Sequence, residues 1–188
     1  ETHSDPTGSA IDNVPLADVT VVTDFGHGAI TERMIYSLCE RPNLAVNAQT
    51  NSSNIGFNLI TKYPRADYVV IDEPEARLAA ADRTSPIQTV MLKLAHGRYN
   101  KMVVTMGVNG AMGWDGTDFH HCDAFTDRAI DSMGAGDAFF AVTAPMMHGA
   151  MPDLLRIGNA AGALKCQIVG HREPVTKQKL IAFLRGAQ

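Results

Sequence analysis

The stretch Asp131-Ser132-Met133-Gly134-Ala135-Gly136-Asp137, running on into Ala138-Phe139-Phe140-Ala141-Val142, decides how the rest of the chain is read. A polar, glycine-bearing turn leads into an almost wholly apolar segment, the pattern of a loop entering a buried helix. Gly134 and Gly136 carry no side chain to obstruct an approaching group, so backbone N–H groups there can face an anion. A helix beginning at this point adds the unpaired N–H groups and partial positive charge of its first turn. Phosphate or a developing oxyanion suits such a nest. Asp137 stands at its mouth, where a carboxylate can orient a bound hydroxyl and take its proton. Taken singly, the glycines also fit a plain turn, and Asp137 also fits a helix cap.

Working outward, upstream segments alternate between strand and helix patterns. Ala17 to Thr23, Leu44 to Val46, Tyr68 to Ile71 and Met102 to Thr105 are short β-branched or apolar runs and read as buried strands. Between them, Thr31 is placed to cap a helix with Met34, Ile35 and Leu38 on one face, and Ile55 to Tyr63 suggests a short helix. Asp72-Glu73-Pro74-Glu75 opens a helix through Ala81 with capping-box spacing. Ser85-Pro86-Ile87-Gln88 predicts a second capping box with Pro at the first helical position, and Gly97 is placed to end that helix. Asp115-Gly116 between Ala111–Trp114 and Thr117–His120 predicts a hairpin. Downstream, helices are expected to about His148, from Asp153 to about Val169, and from Thr176 to Arg185. This alternation predicts an α/β domain: a mostly parallel sheet flanked by helices, with a small antiparallel hairpin.

The central stretch resembles the signature of the ribokinase-like sugar kinases, the PfkB family, which usually reads Asp-Thr-x-Gly-Ala-Gly-Asp. Ser132 stands for the Thr, and Val142 stands where members commonly carry glycine. The resemblance implies a ribokinase-like fold, ATP and Mg²⁺ as cofactors, and phosphorylation of a sugar or sugar-phosphate hydroxyl. It implies Asp137 as catalytic base, with Gly134, Ala135 and Gly136 as the anion hole. Thr105-Met106-Gly107-Val108-Asn109-Gly110 is similar to the family's Thr-x-Gly-x-x-Gly loop, which implies nucleotide contacts from Thr105, Gly107 and Gly110. Asp72 and Glu75 match the Asn-x-x-Glu motif with Asp for Asn, implying Glu75 near the Mg²⁺–nucleotide; the capping-box reading stands beside it. Asn159 and Ala163, in a run of small residues, lie where the resemblance puts adenine, and plain helix packing explains that run equally well. Asn47, Gln49 and Asn51 sit where many relatives carry Asp-Pro-Asn or a similar triplet and can touch nucleotide or substrate.

Thr23-Asp24-Phe25-Gly26-His27-Gly28-Ala29 resembles Ser-Asp-Tyr-Gly-Lys-Gly-Ala of the heptose-7-phosphate kinase branch. It implies Asp24 and Gly26 near the substrate, a heptose-like sugar, and a nucleotidyltransferase domain fused in the full-length protein. A protein-kinase reading of Asp24-Phe25-Gly26 fails, because the catalytic-loop, lysine and APE motifs are missing from the sequence. A dinucleotide oxidoreductase is disfavoured because no G-x-G-x-x-G follows the first strand.

The signature lies in the C-terminal half of full family members. Residues 1–16 therefore read as a linker or cut end, and 17–188 as the C-terminal nucleotide-binding part of a kinase domain truncated at the N-terminus. A truncated sheet would expose an edge and favour self-association. The rival reading is a nucleotide-binding module without catalytic activity of its own.

The 188 residues suffice for one core, and 45% hydrophobic with 19% charged residues is a globular composition. A net charge of −4 without a basic run argues against nucleic acid, and no apolar run reaches membrane-spanning length. Three scattered cysteines, Cys39, Cys122 and Cys166, read as free thiols of a cytoplasmic protein. His120-His121-Cys122-Asp123 reads as a polar strand end, because neighbours on a strand point to opposite faces.

Overall fold

The computed structural model describes residues 17–51, 54–125, 133–168 and 173–186. Residues 1–16, Ser52 and Ser53, Asp131 and Ser132 of the central stretch, and Val169 lie outside them. Four parallel strands, β1 (Thr20–Asp24), β2 (Leu44–Ala48), β3 (Ala66–Asp72) and β4 (Tyr99–Thr105), lie side by side in chain order. β5 (Ala111–Trp114) and β6 (Phe119–Cys122) extend the sheet antiparallel, making six strands. The expected mixed sheet with one hairpin is what the chain forms.

Both faces of the central strands are covered, which is why they read as nearly continuous apolar runs. Successive side chains alternate between faces. Val69 and Ile71 of β3 face α1 (Glu32–Cys39), α2 (Glu73–Ala80) and α3 (Ile87–Ala95), through Leu38, Ala76, Val90 and Met91 among others. Tyr68 and Val70 face the opposite layer, α4 (Ala135–Thr143) and α5 (Met151–Cys166), through Phe139, Phe140, Leu154 and Leu155. The Tyr68 hydroxyl donates to Thr143 Oγ1 (3.0 Å), which donates to Phe139 O (2.9 Å), so a paired buried hydroxyl ties α4 to β3. α6 (Lys177–Gly186) packs Leu180 and Phe183 on α5, where Val142 of α4 also sits.

Local chemistry moves several element ends. Thr31 caps α1 as expected, accepting from Met34 N–H. Ser85 does not cap α3: Pro86 occupies the N-cap position with no side-chain bond, and the Ser85 amide instead donates to Asp82 Oδ1 (3.0 Å). Gly97 follows the end of α3 at φ 71°, as its placement predicts. The segment expected as a helix from Ile55 forms turns and one 3₁₀ turn, Ile60–Lys62. In the hairpin, Trp114 pairs with Phe119, so the second strand starts later than expected. Asp115 Oδ1 accepts from Thr117 N–H (3.0 Å) and Asp118 N–H (2.9 Å), widening the turn beyond Asp115-Gly116. α4 stops at Thr143 and passes into the 3₁₀ turn Ala144–Met146, because Pro145 lacks the N–H that would continue the helix. Among the described residues no helix is long and apolar enough to cross a membrane.

Candidate functional site

The C-terminal ends of β2, β3 and β4 open into one cleft of about 600 Å³, the position where parallel α/β sheets bind ligands. Its walls bring together Asp72, Glu75, Thr105, Gly107, Gly110, Gly134, Ala135, Gly136, Asp137, Asn159 and Ala163. Sequence reasoning drew these from four separate segments. Asp24 and Gly26 are the exceptions: they do not line this cleft.

α4 supplies the first wall. Its N-cap, Gly134, takes φ 78° and ψ 8°, a left-handed conformation that favours glycine, and among the described residues no side chain caps the helix. The first intrahelical bond is Ala138 N–H to Gly134 O (2.9 Å), so the amides of Ala135, Gly136 and Asp137 precede the ladder. A Cβ on Gly136 would meet no atom within 4 Å, leaving the space over that turn open. Asp137, in this first turn, accepts a hydrogen bond from Gln49 Nε2 of the loop after β2.

α2 supplies the second wall and begins in the opposite manner. Asp72 Oδ1 accepts from Glu75 N–H (2.7 Å), and Glu75 Oε2 accepts from Asp72 N–H (3.0 Å), a complete capping box. Glu75 Oε1 also accepts from Thr50 N–H (2.8 Å), which fastens the β2 loop to this helix. Burial, and behind it the charges of Asp72 and Asp137, push the Glu75 carboxyl up to about 7 against the lowering effect of the Asp72 and Thr50 amides. Burial likewise raises Asp72, with Glu73 adding to the effect and the Glu75 amide opposing it.

The third wall is the turn after β4. Gly107, at φ 57°, has no neighbour within 4 Å of a Cβ and faces open space. Gly110 is needed for a different reason: its Cβ would lie 2.0 Å from Cys122 O and 2.8 Å from Ala124 N. Asn159 of α5 donates through Nδ2 to Cys122 O (2.8 Å) and Asp123 O (3.1 Å), holding the same strand end. The small residues of α5 meet another helix and a ring: a Cβ on Gly158 would fall 2.4 Å from the Phe139 ring, and one on Gly162 would reach 3.4 Å from Ala135 O.

Asp24 is spent inside the fold. It is 4% exposed, accepts from Tyr63 Oη (2.7 Å) and Gly26 N–H (3.0 Å), and pairs with Lys62. Burial works to raise its pKa, but the bonds from Lys62, Tyr63 and Gly26 outweigh it and hold the carboxyl below its ordinary value. Gly26 is hemmed in, since its Cβ would lie 2.1 Å from Asn54 Nδ2. His120 and His121 also go separate ways, His120 Nε2 to Asp115 Oδ2 (2.9 Å) and His121 Nε2 to Asn109 O (3.0 Å).

Gln49, Asn47 and Thr50 line the cleft beside Asp137 and Glu75. The amide-rich composition of 47–51 pointed to this loop, and Asn51 turns from it to donate to Phe25 O (3.1 Å). The Thr50 contact runs through the backbone and has no sequence signal. Phe125 also lines the cleft without any local motif to mark it.

The donor set suits a magnesium–polyphosphate. Among the described residues no group of three or more His, Cys, Asp or Glu can hold a metal by itself. Mg²⁺ commonly takes one or two carboxylates and completes its shell with phosphates and water. Asp72, Glu75 and Asp137 all line the cleft, as do the residues of the first turn of α4.

A mostly parallel sheet ending in a cleft, with a glycine at a helix start and an aspartate in that helix's first turn, is an α/β arrangement whose geometry suits an anion. The model of the pfkB family carbohydrate kinases matches residues 51–178, and the chain belongs to that family. It is similar to a 2-dehydro-3-deoxygalactonokinase of Haloferax volcanii, 28% identical over 127 residues, 66% of this chain and 40% of that protein. It also resembles a fructoselysine 6-kinase of Escherichia coli, 36% identical over 72 residues, 36% of this chain and 27% of that protein. The fold matches the structure of Arabidopsis thaliana ribokinase complexed with ribose and ATP, with a TM-score of 0.70 at 17% identity, over 97% of this chain and 59% of that one. The chain thus spans less than two thirds of each.

Proposed function

We propose that this chain binds Mg·ATP in the cleft and forms the nucleotide side of an ATP-dependent carbohydrate kinase acting on a sugar or sugar-phosphate hydroxyl. One observation carries the reading: the uncapped amides of α4 and the Asp137 carboxylate occupy the same helical turn at the cleft wall. Phosphoryl transfer requires an oriented nucleophile and stabilised charge more than covalent help from the protein. Asp137 accepts the proton of the acceptor hydroxyl, and Gln49 orients the carboxylate. The amides of Ala135 and Gly136 stabilise charge on the moving phosphoryl group. Thr105, Gly107 and Gly110 hold the nucleotide phosphates, while Asn159 and Ala163 lie towards the base. Glu75, with Asp72 beside it, would hold Mg²⁺, which when bound neutralises phosphate charge.

Residues 17–188 would then be the nucleotide-binding part of a longer kinase, and the 23–29 resemblance favours a heptose-phosphate-like acceptor. The test is calorimetric titration of Mg·ATP into the chain and its Gly136→Val variant, followed by sugar-dependent ADP release from the longer parent protein with a heptose 7-phosphate. Binding that Gly136→Val abolishes supports the site. Binding indifferent to Gly136→Val removes the phosphates from α4, and binding without turnover in the longer protein favours a non-catalytic nucleotide module.

A further inference from the structure

The floor of the cleft holds a polar atom that the fold leaves without a partner. Asn47, in β2, is 5% exposed. Its Nδ2 donates to Val70 O (2.8 Å), while Oδ1 is buried and has no hydrogen-bond partner among the described residues. The orientation is fixed by chemistry: reversing the amide would set Oδ1 against the Val70 carbonyl, two acceptors face to face. Asn47 lines the same cleft as Asp137. A buried acceptor without a donor costs stability, so its retention in a residue that lines the cleft points to a donor supplied by the ligand.

The identity of that donor is narrowed by position. Nucleotide phosphates bear acceptor oxygens at neutral pH, so they cannot satisfy Oδ1. The turn proposed to hold the nucleotide follows β4, separated from β2 by β3, roughly 10 Å across the sheet. On the β2 side, Gln49 touches Asp137, and Asn47 lies two residues before it. We infer that Asn47 Oδ1 accepts a hydrogen bond from a second hydroxyl of the acceptor, adjacent to the hydroxyl presented to Asp137, so that the substrate class is a vicinal diol. Asn47 is then a specificity-determining residue, an inference that rests on the kinase reading above.

The test uses the longer protein of the proposed function, a heptose 7-phosphate, its monodeoxy analogues, and the Asn47→Leu variant, with Mg·ATP titrated separately. For the parent, one monodeoxy analogue should bind about tenfold more weakly than the intact sugar, the loss of one hydrogen bond. Asn47→Leu should bind the intact sugar and that analogue equally, with its Mg·ATP affinity unchanged. No sugar binding, no analogue weaker than the intact sugar, or an Asn47→Leu variant that still discriminates would overturn the inference. A chain that binds the sugar with this discrimination but not Mg·ATP would uphold Asn47 and remove the nucleotide reading instead. If Asn47→Leu does not fold, the analogue series on the parent decides the matter.

Discussion

Two helices begin at this cleft, and they begin differently. α2 closes its first turn on itself: Asp72 and Glu75 exchange hydrogen bonds with each other's amides, and Glu75 also takes the Thr50 amide. α4 starts at a left-handed glycine with no side-chain cap among the described residues. Both starts carry the same partial positive charge. Only the second leaves it available to a bound anion, while the first uses it to fix two carboxylates in place. A capped helix start turns that charge on its own side chains, whereas an open one leaves it free to meet an anion.

The contrast can be broken at several points. The largest effect is expected from Asp137→Asn in the longer protein: sugar-dependent ADP release should fall about 10²–10⁴-fold with Mg·ATP binding retained, as for loss of a general base. Next comes Gly136→Val. Its side chain would enter the space over the open amides, and Mg·ATP affinity measured by calorimetry should drop by about tenfold or more while the melting temperature holds, because among the described residues no atom outside the surrounding helical turn lies within 4 Å of the new Cβ. At the closed helix, Asp72→Ala should lower stability in a urea titration by about 1 kcal/mol, the worth of an N-cap.

The last effect is one of pH. Glu75 is held at about 7 in the fold against an ordinary 4.5. Its neutral form is favoured by folding, so its contribution to stability is full below pH 4.5. That contribution is lost as pH rises towards 7, where the folded carboxyl ionises too. Thermal melts of parent and Glu75→Gln should diverge over this interval, the variant losing less stability on going up. Parallel curves would show that Glu75 is not strained by its surroundings.

Much of this was legible in the chain. The helix start at 134–137, the capping box at 72–75 and the glycine turn at 107–110 are local patterns, and each forms within a few residues of itself. What escaped the sequence depends on distant partners or on competition. Asp24 reads as a loop carboxylate, but Lys62 and Tyr63, far along the chain, draw it into the interior. Ser85 has a cap's spacing, yet Asp82 takes its amide first. Asp115 recruits Thr117 and Asp118 and lengthens a turn that its dipeptide suggests is short. The bond from Gln49 to Asp137 joins two motifs whose proximity only the sheet creates.

Gly158 and Gly162 of α5 act at a distance from any chemistry. They are empty sockets for the Phe139 ring and the Ala135 carbonyl, so α5 sets the height at which α4 rides above the sheet. The smallest side chain at Gly158 would meet that ring at 2.4 Å and lift the helix. The amides of the first turn of α4 would move with it, although no residue of the proposed anion nest had changed. The calibration of the site thus resides in a helix that contributes missing atoms, and an alanine there would detune the nest from behind.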